Sequence, residues 1–147
     1  MPTAREEAQQ ILTLVRGDAL AAYDLVERQL GVLVMRTQVM LSLSGIVVTV
    51  TGFSGRAIAD TSQLARLSIS AGILVVLASA ATAIGGVLKL RWMTQQLGDD
   101  VESMLTRAIV NRDSKARFLA LSLLLFVVGF GLYCFAIAQL LLAARPA

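Results

Sequence analysis

Histidine is absent from this 147-residue chain, and cysteine occurs once, at Cys134. No imidazole base, Ser-His-Asp triad, haem histidine or Cys/His zinc site can be built within one chain, and no intrachain disulfide can close. Charge is scarce as well. Charged residues make up 16% of the chain and apolar ones 56%, with mean hydropathy +0.74, whereas about a quarter of a soluble domain is charged. The scarcity is concentrated in three stretches with no Asp, Glu, Lys or Arg.

Those stretches are Thr37 to Gly55 between Arg36 and Arg56, Leu67 to Leu88 between Arg66 and Lys89, and Phe118 to Ala144 between Arg117 and Arg145. Roughly 20 apolar helical residues cross about 30 Å of hydrocarbon, so the sequence predicts an all-α polytopic membrane protein with three transmembrane helices. Residues 1–36 form an N-terminal amphipathic cytoplasmic helix. Residues 37–147 form the three-span domain, with spans at about 37–55, 67–88 and 118–144 and a helical cytoplasmic loop at 89–117. The N-terminal segment is not a signal peptide, because Arg5, Glu6, Glu7, Arg16, Asp18, Asp24, Glu27 and Arg28 interrupt any apolar core such a peptide would need.

Basic residues set the expected orientation. The N-terminal segment and the second loop together hold Arg5, Arg16, Arg28, Arg36, Lys89, Arg91, Arg107, Arg112, Lys115 and Arg117, while the first loop and the C-terminal tail hold Arg56, Arg66 and Arg145. The positive-inside rule then places the N-terminus in the cytoplasm and the C-terminus on the exterior, periplasmic side of an inner membrane. The net charge of +3 reads as this orientation signal. No basic patch interleaved with aromatics points to nucleic acid.

The cytoplasmic parts read as helices continuous with the spans. Thr3 and Glu6 match a capping box. Leu12, Val15, Ala19, Ala22, Val26 and Leu33 then follow near heptad spacing, which predicts one helix from about Ala4 into the first span, mildly interrupted at Gly17 and Gly31. In the second loop Leu97, Val101, Met104 and Ala108 repeat at steps of 4, 3 and 4, with a stop and cap at Gly98, Asp99 and Glu102. The expected packing joins Leu12, Val15, Val26 and Leu33 to Leu97, Val101, Met104 and Ala108. An in-plane membrane anchor is the other reading of the N-terminal stripe, though its polar side mixes acids with bases where such anchors favour Lys and Arg. Asp60 with Gln63 offers a cap for the second span, Asp113 one for the third, and Trp92 an interface anchor.

Small and weakly polar residues recur at heptad spacing inside each span: Gln38, Ser42, Gly45, Thr49 and Gly52 in the first; Ser68, Gly72, Val75, Ser79, Thr82 and Gly86 in the second; Ser122, Gly129 and Ala136 in the third. Helices in lipid gain nothing by hiding Leu from lipid tails, so association relies on close approach at small residues and on Ser/Thr hydrogen bonds. These seams read as helix-packing surfaces. Alternatively the first, with its hydroxyls and amide, lines a hydrated path in an oligomer. No acid or base stands within a span to select ions or relay protons. The string Gly52-Phe53-Ser54-Gly55-Arg56 lacks the pattern of a phosphate loop and reads as helix termination at the membrane surface.

Asp99, Asp100 and Glu102 could be imagined as a metal or acid/base cluster, but acids at a helix start also complement its dipole. No catalytic, cofactor or metal residue is assigned. The order of a cytoplasmic helix, two spans, a basic helical loop and a final span, with the stretch Met40-Leu41-Ser42-Leu43-Ser44-Gly45, resembles small bacterial membrane effectors of cyclic-pyrimidine anti-phage systems. That resemblance implies membrane disruption and transfers no site residue. Two functions follow as expectations. One is a non-catalytic membrane scaffold or small structural subunit, bound to the lipid bilayer as a homo-oligomer or within a larger membrane complex. The other is an oligomeric pore that uses the polar seam of the first span.

Overall fold

The computed structural model describes residues 3–59, 62–87 and 100–143, with side chains for 3–53, 62–87 and 100–142. Among them are four helices and no strand: α1 (Ala4–Leu14), α2 (Ala19–Ala59), α3 (Gln63–Val87) and α4 (Val101–Ala143). Helices α2, α3 and α4 are each long and apolar enough to cross a membrane.

Helix α1 starts in the expected capping box. The Thr3 amide donates to Glu6 Oε2 (2.7 Å), and the Glu6 amide donates to Thr3 Oγ1 (3.3 Å). It does not run on into the first span, which corrects the expectation of a single helix from Ala4. Arg16 (φ 55°) and Gly17 (φ 81°) take left-handed backbone, and the Gly17 amide donates to the Leu12 carbonyl at 2.8 Å, closing α1 in the manner of a glycine C-cap. Asp18 then opens α2, its carboxylate accepting from the amides of Leu20 (2.9 Å) and Ala21 (3.2 Å), as an N-cap does. The turn folds α1 back over the start of α4. Ala8 and Ile11 enter one core with Ala22, Val26, Leu105, Ala108 and Ile109, so the apolar stripe of α1 is covered by the chain's own helices.

Further boundaries differ from those expected. Helix α2 passes through Gly52 to Arg56 and ends at Ala59. In hydrocarbon each backbone amide must be satisfied inside its own helix, and glycine lowers helix propensity by only ~1 kcal/mol, so the string does not terminate the span. The start of α3 is capped by Ser62, whose hydroxyl accepts from the Ala65 amide (3.1 Å). Helix α4 is continuous across residues 113–118. Asp113 is therefore not a cap; it lies mid-helix beside Arg112. Asp60, Gly98 and Asp99, expected at helix ends, Trp92, expected as an interface anchor, and Leu97, expected in the packing stripe, lie outside the described residues.

Two registers fix the three long helices. Helices α3 and α4 are antiparallel: Ser62 meets Gln139, Gly72 meets Gly129 and Ser79 meets Ser122, the two numbers of each pair adding to 201. Helices α2 and α4 are parallel, Gln29 meeting Arg112 and Met40 meeting Ser122 at offsets of 83 and 82 residues. Arg36 therefore lies level with residues 118–119, so α2 and α4 leave their charged stretches at the same height.

Candidate functional site

The seams of the second and third spans meet each other. A Cβ added to Gly72 would stand 2.9 Å from the Gly129 carbonyl oxygen, and one added to Gly129 would stand 2.8 Å from a Val76 methyl. At that spacing the two backbones touch. One heptad away, Ser79 Oγ donates to the Ser122 carbonyl (2.7 Å) and Ser122 Oγ can donate to the Ser79 carbonyl (2.8 Å). One heptad in the other direction, Ala136 is fully buried with Ala65, Ile69 and Tyr133. Ser68 is buried and Gly86 faces Phe118, while the half-buried Thr82 turns its hydroxyl to its own Ala78 carbonyl (2.8 Å). The seams marked on these two helices are thus taken up largely within the chain, while Gly85 and Gly131 lie on other, open faces.

The first span behaves differently: the seam marked on it does not face the other helices of the chain. The face of α2 turned to α3 and α4 carries Thr37, Met40, Ser44, Val47 and Thr51, all buried. Met40 reaches the Ser79/Ser122 junction, where its sulfur lies 3.3 Å from Ser122 Oγ, so one thioether fills the point where three helices converge. The hydroxyls on this face return to carbonyls four residues back, Thr37 to Leu33, Ser44 to Met40 and Thr51 to Val47. Gln38, Ser42, Gly45, Thr49 and Gly52 are all exposed. A Cβ added at Gly45 or Gly52 meets nothing within 4 Å, and the same holds at Gly31. Only 17% of the most apolar window of α2 is buried, against 33% for α3. The outward stripe thus extends to Gly31, Met35, Gln38, Ser42, Gly45, Thr49 and Gly52, at steps of 4, 3, 4, 3, 4 and 3, over about 31 Å of helix.

Polarity on this stripe is arranged in two ways. Ser42 and Thr49 donate to their own Gln38 and Gly45 carbonyls at 3.0 and 2.8 Å, leaving only lone pairs outward. The Gln38 side-chain amide makes no hydrogen bond to any described residue, two residues past Arg36.

The N-terminal layer is held by charge. Arg112 Nη1 donates to Glu7 (2.7 Å) and Gln29 (2.7 Å), Nη2 to Glu7 (3.0 Å) and Asp113 (2.7 Å), and Nε to Asp113 (2.9 Å). All five guanidinium donors are used. Glu7 foremost, then Asp113, raise the guanidinium pKa further above its ordinary value against the opposing effect of burial. Arg5 and Gln9 both reach Glu102 Oε1 (2.8 and 3.1 Å) and hold its carboxyl below the ordinary value, Arg5 most strongly. The packing register here also needs correction. Val101 is 43% exposed and Met104 only half-buried, whereas Leu105 and Ile109 are buried beside Ala108. Leu105, Ala108 and Ile109 stand at i, i+3 and i+4, a helical stripe that the 4, 3, 4 steps from Leu97 meet only at Ala108. Val26 is fully buried, while Leu12, Val15 and Leu33 are half-buried.

Among the described residues no group of three His, Cys, Asp or Glu is placed to hold a metal, and Cys134 is exposed. Compared with known proteins, the chain matches no family model, no curated protein and no solved structure.

Proposed function

We propose that this chain is a non-catalytic integral membrane scaffold that self-associates through the outward stripe of α2. The observation that carries this reading is the contrast between seams: those of α3 and α4 are closed on each other, while that of α2 has the same small-residue spacing and no neighbour within 4 Å of Gly45 or Gly52. Small residues at heptad spacing allow close helix approach in lipid, and an amide within hydrocarbon gains from a partner on another helix. Gln38 supplies that amide and would fix the register, as a polar core residue does in coiled coils. The acids near the start of α4 support a structural role, since Asp100 accepts from the Glu102 amide (3.4 Å) and Glu102 is taken by Arg5 and Gln9. In this reading the N-terminal layer is cytoplasmic and the C-terminus exterior, from the placement of basic residues. A C-terminal alkaline-phosphatase fusion that inserts but stays inactive would reverse that orientation.

The test is the oligomeric state in mild detergent and in nanodiscs. Gly45→Leu or Gly52→Leu shifts the protein toward monomer, whereas Val50→Leu, at an exposed position off the stripe, does not. The pore alternative draws on the same exposed Ser42 and Thr49. Cysteines placed at those positions in a Cys134→Ala background stay unreactive to a membrane-impermeant thiol reagent if the stripe is packed. Rapid labelling at both makes the pore the better reading.

A further inference from the structure

Between α2 and α4, at the height where both helices lose their charges, lies an open groove of about 260 Å³ lined by Gln29, Val32, Leu33, Arg36, Arg112 and Ala116. Val32, Leu33 and Ala116 make it apolar. Its two arginines differ in kind. Arg112 has no donor to spare, since all five bind Glu7, Gln29 and Asp113. Arg36 is exposed and makes no hydrogen bond or ion pair to any described residue. It is also the last charged residue of α2 before the uncharged run that begins at Thr37. A guanidinium with no partner among the described residues therefore stands where α2 passes into its uncharged run, beside an apolar groove wide enough for several water-sized groups at ~30 Å³ each.

The matching ligand carries a negative oxyanion at headgroup height with an acyl chain continuing below it. We propose that this groove binds an anionic phospholipid of the surrounding leaflet, its phosphate on Arg36 and the upper part of one chain against Val32, Leu33 and Ala116. A planar guanidinium suits phosphate oxygens. Below Arg36 the same side of the molecule stays apolar and open, with Val39 57% exposed on α2 and Leu123 44% exposed on α4. The inference requires only that the chain sits in a membrane and is independent of whether α2 self-associates.

The experiment is native mass spectrometry of the full chain released from nanodiscs of equal phosphatidylglycerol and phosphatidylcholine with identical acyl chains, counting retained lipid per protein chain. A basic residue near an anionic surface accounts for about fivefold in preference. Wild type should retain phosphatidylglycerol over phosphatidylcholine by about that factor. Arg36→Gln should remove the preference, and Val32→Trp, which fills the groove from an exposed position and leaves Arg36 in place, should lower phosphatidylglycerol retention and with it the preference. Equal retention of both lipids by wild type, or an unchanged preference in either variant, would overturn the proposal. So would loss of the bound lipid on adding inorganic phosphate, which would make the site one for a free anion.

Discussion

Gly72 and Gly45 lack the same side chain with opposite consequences. At Gly72 a methyl would stand 2.9 Å from the Gly129 carbonyl oxygen, while at Gly45 it would meet nothing within 4 Å. Backbone cannot move aside as a flexible side chain can, so Gly72→Ala or Gly129→Ala should separate α3 from α4 and lower stability by about 1–3 kcal/mol, the usual loss on overpacking. Thermal unfolding of detergent-solubilised protein would register this, with Gly45→Ala unfolding like the parent. Equal behaviour of the three variants would mean that the backbones do not approach at Gly72. The sequence marks all these glycines alike. Which ones touch a neighbour depends on helix rotation, and that is decided by larger residues such as Met40.

At the scale of elements, the faces that α3 and α4 turn to each other carry the heptad stripes of small residues the sequence marks, since lipid offers no competing reason to bury Leu, but nothing in the stripes says which helix each would meet. Rotation of α2 was not legible. Its two stripes, one through Thr37, Met40, Ser44, Val47 and Thr51 and the other through Gln38, Ser42, Gly45, Thr49 and Gly52, both repeat by heptads and lie alternately one and two residues apart. Composition ranks the smaller set as the packing face, yet the bulkier set fills the space beside Ser79 and Ser122. The break between α1 and α2 was written in Gly17 and Asp18, a C-cap followed by an N-cap, and periodicity across the break masked it. The register of α4 beneath α1 has a direct test. Ile109→Asp buries an unpaired charge in a core where Ile109 is fully covered, and should destabilise the N-terminal layer by several kcal/mol. Val101→Asp, at an exposed position, should have little effect. Limited proteolysis of α1 in membranes reads both, and faster cleavage in the Val101 variant alone would reverse the assigned register.

For the whole molecule, three uncharged runs were enough to identify the membrane-crossing helices, because no soluble fold requires them. Their mutual arrangement follows from the two registers, which place the charged ends of α2 and α4 at one height. Among the described residues nothing covers the outward stripe of α2 at Gly45 or Gly52, and the proposal that a second copy does so is tested most directly by crosslinking in the bilayer. In a Cys134→Ala background, a cysteine at Gly45 should form an intermolecular disulfide rapidly on mild oxidation. A cysteine at Leu74 serves as the control, since it lies at the same depth by the two registers and is 66% exposed on α3; it should remain monomeric. Absence of crosslinking at Gly45, or equal crosslinking at the two positions, would contradict self-association through α2.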